Sequence, residues 1–185
     1  KFIHVSAIGA NADSNSLYQQ SKFKGEQKAL ENFKKTVIIR PSVVCGNEDN
    51  FTNLFAKLSL FPVIPVVKPD YKFQPILVDD VATAIVKAIE IKKNEGKIYE
   101  IGGPRTISFK EMVKSIVSTI GKKRFIVEMP MPLAKVQATL FSLMPKPLLT
   151  KDQCKILNEA DNIVSNNYLT LKDLNIKPTD VQKAM

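Results

Sequence analysis

A tyrosine and a lysine near the start of the chain have the spacing of a proton-transfer pair. Tyr18 and Lys22 are four residues apart, so on a helix they share one face, about 6 Å from each other. An ammonium group beside a phenol favours the phenolate, and we therefore expect the pKa of Tyr18 to lie below its usual value of about 10. Such a phenol could exchange a proton with a substrate oxygen while a nicotinamide exchanges the hydride. Ser6, twelve residues before Tyr18, could hydrogen-bond the same oxygen.

The same spacing also arises by chance, because the chain is rich in lysine. A second pair, Tyr168 and Lys172, lies in the polar tail with no strand before it, and we interpret it as accidental. The first pair differs in its context: a short apolar strand that carries Ser6, a loop rich in Asn, Asp and Ser, and then a helix start.

The elements around the pair alternate between strands and helices. The run TVIIR, Thr36–Arg40, is nearly all β-branched, as expected for a parallel strand that is buried on both faces. The predicted strands are Phe2–Ala7, Thr36–Arg40, Phe73–Val78, Lys97–Ile101 and Arg124–Glu128. The predicted helices run from Ser14 or Ser16 to Phe33, then over Asn50–Leu60, Val81–Ile91, Phe109–Ile120 and Met131–Met144. This order predicts an α/β fold with a parallel sheet.

Short polar residues mark two of the helix starts. Ser108 followed by Glu111 has the spacing of a capping box, and Asp79 or Asp80 is expected to cap the helix Val81–Ile91. Beyond residue 150 the chain is predicted to be helical and loop-like with polar character.

Composition excludes several classes of protein. The net charge of +9 comes almost entirely from dispersed lysines, which favours a solvated surface over a nucleic-acid interface. Cys45 and Cys154 lack metal-ligand spacing and are predicted to be small buried residues of a protein from a reducing compartment. His4 is the only histidine, and we expect it to be packed and not to bind metal.

Several short stretches resemble one protein family. In order along Phe2–Pro104, the stretches FIHVSA, YQQSK, VIIRPSVVCG, FQPILVDDVATAI and KIYEIGGP resemble the extended and atypical short-chain dehydrogenase/reductases. More narrowly, FIHVSAIGANADS and RPSVVCGNEDNFTNLFAKL resemble the NADH:ubiquinone oxidoreductase alpha-subcomplex subunit nine family. The resemblance implies the C-terminal half of a Rossmann-like, doubly wound parallel sheet, with a small α+β or helical appendage.

The resemblance also implies roles for individual residues. Tyr18 and Lys22 match the family's Tyr-x-x-x-Lys, with Lys22 also touching the nicotinamide ribose. Pro41–Val44 matches the segment that lines the nicotinamide. The cofactor would be NAD or NADP. The residues assigned to it are Tyr18, Lys22, Pro41, Ser42, Val43 and Val44.

Two departures from the family pattern weaken the catalytic interpretation. Ala7 stands where catalytic members carry the Ser or Thr that polarises the substrate, and Ser6 should point to the opposite face of the strand unless a bulge re-aims it. The Gly-rich turn that seats a pyrophosphate is missing, since Gly102 and Gly103 come too late. We therefore expect the functional unit to include an N-terminal Rossmann half, on the same longer chain or on a partner, beside the exposed edge of the first strand.

Three functions follow. The first is a weakly catalytic or non-catalytic nicotinamide-nucleotide-binding protein, acting as an accessory or assembly subunit of respiratory NADH dehydrogenase. The second is an active NAD(P)-dependent reductase or nucleotide-sugar epimerase/dehydratase that uses Tyr18 and Lys22. The third is a cofactor-free interaction module.

The predicted organisation is a Rossmann-like part over residues 1–103, with an insertion at 51–72, and a smaller subdomain over 104–185. The apolar stretch Met131–Leu149 is either a buried helix or a patch that docks on a membrane surface or a partner such as a respiratory-complex subunit. The predicted location is the cytoplasm, at the periphery of the inner membrane according to the resemblance.

Overall fold

The computed structural model describes residues 1–91, 94–140 and 149–184. The strands are β1 (Ile3–Val5), β2 (Val37–Pro41), β3 (Val44–Cys45), β4 (Val63–Val67), β5 (Lys72–Phe73), β6 (Ile76–Leu77), β7 (Ile98–Ile101), β8 (Ile107–Ser108) and β9 (Phe125–Met129). The helices are α1 (Leu17–Asn32), α2 (Asn50–Leu58), α3 (Val78–Glu90), α4 (Phe109–Thr119), α5 (Met131–Leu140), α6 (Lys151–Ile156), a 3₁₀ turn (Leu171–Leu174) and α7 (Val181–Ala184).

The first sheet has three parallel strands in the order β1-β2-β7. Ile3 is opposite Val37, and Ile38 is opposite Ile98. Every residue of the central strand β2 is buried, as its β-branched sequence predicts. Helices connect these parallel strands, so the α/β prediction is confirmed.

The edge strand β1 is shorter than predicted, but its pairing extends past its ends. The Ser6 amide donates to the Ile39 carbonyl at 2.8 Å, and the Ile8 amide donates to the Pro41 carbonyl at 3.1 Å. Within the described part of the chain, β1 pairs with β2 alone. Its other edge is therefore free of a described strand.

A second lobe is built around the parallel pair β4 and β9, which align over five residues from Val63 opposite Phe125 to Val67 opposite Met129. Its core packs α2, α4, α5 and α6 against these strands. The first sheet has a separate core beneath α3, to which the tail contributes Leu171, Leu174 and Ile176. The polar composition of the chain beyond residue 150 gave no indication that these three residues are part of the core. The division at residue 103 remains a prediction.

The predicted strand Phe73–Val78 is wrong in detail. The chain instead forms two short strands in different sheets: β5 pairs antiparallel with β8, and β6 pairs parallel with β3. Gln74 and Pro75 separate them, and proline cannot donate to a ladder.

Helix starts were predicted with mixed success. Ser16 caps α1, and Ser108 forms a capping box with Glu111. Asp79 and Asp80 do not cap α3, because that helix begins earlier with Leu77 as its N-cap residue. Asp80 instead accepts hydrogen bonds from the Thr179 amide at 2.7 Å and from the Thr179 hydroxyl at 3.2 Å.

The predicted helix Met131–Met144 is described only as far as Leu140, and its remainder lies outside the described residues. On α5, Ala134 and Ala138 are buried, whereas Leu133, Val136 and Leu140 are exposed along one face. In the described ranges no helix combines the length and apolarity needed to cross a bilayer.

Candidate functional site

The candidate site lies at the carboxyl ends of β1 and β2, where open α/β sheets commonly bind ligands. The bond from the Ile8 amide to the Pro41 carbonyl brings the two strand ends together. The loop that follows β1 then leads into α1, whose first turn carries Tyr18. Two of the predicted segments, the Tyr-Lys helix and the Pro41–Val44 stretch, thus start from neighbouring strand ends.

The first turn of α1 packs tightly on this loop. Gly9 has a φ of +88°, and a Cβ added to it would lie 2.3 Å from Nε2 of the buried Gln19. The Ser14 hydroxyl donates to Oε1 of Gln19 at 2.6 Å. A residue with a side chain at position 9 would therefore push against the start of the helix.

Tyr18 and Lys22 are together, but not as predicted. The Lys22 ammonium lies over the aromatic ring, 5.7 Å from its centroid, in a cation–π contact. The Tyr18 side chain is 47% exposed. Partial burial raises the pKa of the Tyr18 phenol above 10.0, so the expected lowering is wrong: the ammonium faces the ring and donates no hydrogen bond to the phenol oxygen.

Ser6 is buried, and its hydroxyl has no hydrogen-bond partner among the described residues. It makes no hydrogen bond to Tyr18, and the position of the family's polarising hydroxyl is occupied by Ala7. The arrangement therefore gives Tyr18 no second hydroxyl with which to share a substrate oxygen.

The Pro41–Val44 segment is held by a tail residue, Asn162. The Ser42 hydroxyl lies 2.6 Å from Oδ1 of Asn162 and accepts from the Gln74 amide at 3.2 Å. The Val43 amide also donates to Oδ1 of Asn162, at 3.1 Å. Because the Ser42 hydroxyl is already engaged, this segment would contact a cofactor through its backbone and apolar surface.

Two acidic side chains from the tail bind the start of α1. Asp152 accepts from the Ser16 hydroxyl at 2.7 Å and from the Leu17 and Tyr18 amides at 2.8 and 3.1 Å. Glu159 accepts from the Asn15 amide at 2.7 Å. Burial alone would raise the pKa of Asp152, but these hydrogen bonds outweigh it and the pKa is lowered.

A buried ion network fixes α1 to the sheet one turn beyond Lys22. Arg40 makes two hydrogen bonds to Glu26, at 2.8 and 2.7 Å, and lies 3.5 Å from Glu100. The Tyr168 ring stacks on the guanidinium at 4.7 Å, so the tail tyrosine has a packing role that its sequence context did not reveal. Burial opposes the charge on Arg40, yet the bonds to Glu26 raise its pKa.

Neither cysteine nor the histidine forms a reactive centre. Cys45 and Cys154 are free and buried, as predicted. His4 packs against Gly25, where an added Cβ would lie 3.2 Å from its Nε2. In the described ranges no three His, Cys, Asp or Glu side chains cluster as metal ligands would.

Comparison with known proteins identifies the family. The family model described as RmlD substrate binding domain matches residues 10–157. The chain belongs to the RmlD substrate binding domain family. That match covers both the Tyr-Lys helix and the Pro41–Val44 segment.

Among curated proteins, this RmlD-family chain is similar to two mitochondrial proteins named NADH dehydrogenase (ubiquinone) 1 alpha subcomplex subunit 9. It is 31% identical over its whole length to 53% of the protein from Dictyostelium discoideum. It is 33% identical over 98% of its length to 49% of the protein from Mus musculus. The predicted resemblance is confirmed, and the chain spans about half the length of these relatives.

Solved structures confirm the Rossmann-like fold. A dTDP-4-dehydrorhamnose reductase from Bacillus anthracis, in complex with NADP, matches 99% of this RmlD-family chain and 62% of its own chain, with a TM-score of 0.66 and 20% identity. A UDP-glucose 4-epimerase from Thermus thermophilus, in complex with NAD, matches 69% of this chain and 50% of its own chain, with a TM-score of 0.55 and 19% identity.

Sequence reasoning missed Asp152, Asn162, Arg40 and Glu26 as parts of the site. A lone arginine inside the otherwise apolar strand β2 was a usable signal, because a buried guanidinium requires a carboxylate. The contacts of Asp152 with the start of α1 and of Asn162 with Ser42 and Val43 span more than 100 residues, and no local pattern predicts them.

Proposed function

We propose that this chain provides the nicotinamide side of an NAD(P)-binding unit with weak or no catalytic activity, in an accessory or assembly role within respiratory NADH dehydrogenase. The observation that carries the proposal is the position of the Tyr18 helix at the carboxyl edge of a three-stranded parallel sheet, with no described strand on the outer edge of β1. The similarity to mitochondrial subunit 9 proteins supports the respiratory role.

The free edge of β1 suggests how the unit is completed. Phe2 and Val5 are 48% and 43% exposed, and a groove between β1 and α1 is lined by a mixture of apolar and polar residues. A further parallel strand with its covering helix would bury Phe2, Val5 and the groove. In Rossmann sheets, that neighbouring half carries the Gly-rich turn for the pyrophosphate, and it could lie on the same longer chain or on a partner.

Weak catalysis is supported by the geometry of the pair. The raised pKa of Tyr18 makes the phenol a poorer base at neutral pH. The buried Ser6 hydroxyl and the methyl group of Ala7 offer no second donor to a substrate oxygen. In the proposed unit, Lys22 would leave its contact with the ring to bind the nicotinamide ribose.

One observation favours the active reductase or epimerase as a second candidate. Tyr18 is half exposed, so a substrate could reach its hydroxyl, and a bound cofactor could draw Lys22 toward it. Turnover that is lost in Tyr18→Phe would establish this candidate and refute the non-catalytic one.

The test is a titration with NADPH and with NADH, followed by nicotinamide fluorescence. Two samples are compared: this chain alone, and this chain joined to the segment encoded immediately upstream. We expect binding only in the second sample, weakened about tenfold or more by Lys22→Met and unchanged by Lys172→Met, the matched exposed lysine of the tail pair. Equal binding by both samples would refute the half-site, and binding by neither would favour the cofactor-free interaction module.

The cellular location remains part of the proposal. The curated relatives are named as mitochondrial, and a respiratory role would place the chain at the periphery of the inner membrane. The exposed apolar face of α5 is a candidate contact with that membrane or with a neighbouring subunit.

A further inference from the structure

The second lobe contains an apolar cavity of about 250 Å³, which shares Asn162 with the Pro41–Val44 segment but is not lined by Tyr18 or Lys22. Four phenylalanines, Phe51, Phe55, Phe73 and Phe109, form one wall. Their ring centroids are 5.1 to 5.7 Å apart. Because each ring is held by its neighbours, the wall resists collapse into the open space.

The interior offers nothing to bind a charged or strongly polar ligand. None of the described lining residues carries a charge. The polar ones are mostly engaged: the Tyr71 hydroxyl donates to the Ala160 carbonyl, Asn162 binds Ser42 and Val43, and Gln153 belongs to the capping box of α6. A diphosphate would find no arginine or lysine here, although phosphate binding in proteins depends on such groups or on free backbone amides.

The helices that line the cavity carry exposed lysines. Lys57 follows Ala56 on α2, and Lys135, Lys151 and Lys155 lie on α5 and α6, the helices that also contribute lining residues. All four lysines are exposed. An apolar interior between lysine-bearing helices matches a ligand with a hydrocarbon body and an anionic end.

We propose that this cavity binds the hydrocarbon chain of a fatty acyl group, whose anionic end stays at the lysine-bearing surface. An apolar cavity of about 150 Å³ accommodates the six carbons of benzene, so 250 Å³ holds about ten carbons in proportion. This assignment does not rest on cofactor binding, because neither Tyr18 nor Lys22 lines the cavity.

A calorimetric titration of the whole chain with straight-chain carboxylates tests the proposal. Each added methylene should tighten binding about fourfold. From hexanoate to decanoate the affinity should therefore rise about 200-fold, with little gain for longer chains. Decanol should bind less tightly than decanoate. Equal affinity for the two would overturn the anionic part of the proposal, and a gain that continues past dodecanoate would overturn the limit that the cavity volume sets on chain length.

Two variants locate the bound chain. Leu54→Trp fills the cavity from α2 and Ile156→Phe fills it from α6, since both residues line the cavity and are only half buried. Each variant should weaken decanoate binding at least tenfold. Leu60→Trp is the matched control: Leu60 is 72% exposed, is not among the lining residues, and should leave binding unchanged. Thermal unfolding of each variant confirms that it is folded.

A vesicle arm separates a free acyl chain from a membrane lipid. Flotation with phosphatidylcholine vesicles containing phosphatidylglycerol should be reduced by Leu54→Trp if the cavity takes a chain from the bilayer, and unaffected if it takes free fatty acid. Either result supports a chain-binding cavity as long as decanoate binds. Absence of decanoate binding, or binding that neither cavity variant weakens, refutes it.

Discussion

Removing the guanidinium of Arg40 tests whether the buried ion network holds the site together. The side chains of Arg40, Glu26 and Glu100 are 6%, 1% and 5% exposed. In Arg40→Met, the Glu26 carboxylate loses both of its short hydrogen bonds and stays buried without a counter-charge. Breaking a buried pair in this way costs about 3–5 kcal/mol. For a chain of this size, that corresponds to a fall in melting temperature of about 6–20 °C.

Urea unfolding followed by far-UV circular dichroism measures the change. Arg105→Met is the matched control, because Arg105 pairs with Asp180 at 2.7 Å but is 49% exposed, and the loss should be below about 1 kcal/mol. Adding Glu26→Met to Arg40→Met should recover part of the lost stability, since one of the two buried carboxylates that faced the guanidinium is then gone. If the unfolding free energy of Arg40→Met is within about 1 kcal/mol of that of the parent protein, solvent reaches the network and the reasoning is refuted.

Three further predictions follow from the geometry. Gly9→Ala should lower the free energy of unfolding by about 1–3 kcal/mol, because of the positive φ and the close Gln19 amide; Gly121→Ala, with open space around it but a positive φ, should cost less in the same urea assay. Asp152→Asn should destabilise the protein at pH 6. Since the folded pKa of Asp152 is lowered, the difference in unfolding free energy between the parent protein and Asp152→Asn is complete above about pH 4. It disappears as the pH falls through the folded pKa, and a pH-independent difference would contradict the prediction. Burial raises the pKa of Cys45 to about 12 and also raises that of Cys154, so neither should react with a disulfide reagent at pH 8 until urea unfolds the chain.

Local patterns were sufficient to predict most of the elements. The β-branched run in β2, the serine caps of α1 and α4, and the alternation of strands with helices all depend on neighbouring residues, and the structure contains each of them. The errors fall where tertiary pairing decides. The segment around Gln74 and Pro75 divides between two sheets. Strand β6 ends at Leu77, which is also the N-cap residue of α3, so the helix begins at Val78, before Asp79.

The site was predictable in part for the same reason. Spacing alone brings Tyr18 and Lys22 onto one helix face, and the structure confirms their contact. It does not determine whether the ammonium meets the phenol oxygen or the ring, a difference of a few ångströms that changes the direction of the pKa shift. Side-chain rotamers and burial decide that point, and neither is encoded in a four-residue interval.

The tail, which is the part of the chain beyond residue 150, holds the segments of the candidate site. Asp152 binds the start of α1, Asn162 binds the Pro41–Val44 segment, and Tyr168 stacks on Arg40. Each predicted part of the nicotinamide side is therefore held by a residue more than 100 positions away. Glu100 adds a further link, since its carboxylate accepts from the Ser165 amide at 2.9 Å. In the proposed NAD(P)-binding unit these contacts would preorganise the site, and loss of the tail should therefore impair cofactor binding even though the tail carries neither member of the Tyr18–Lys22 pair.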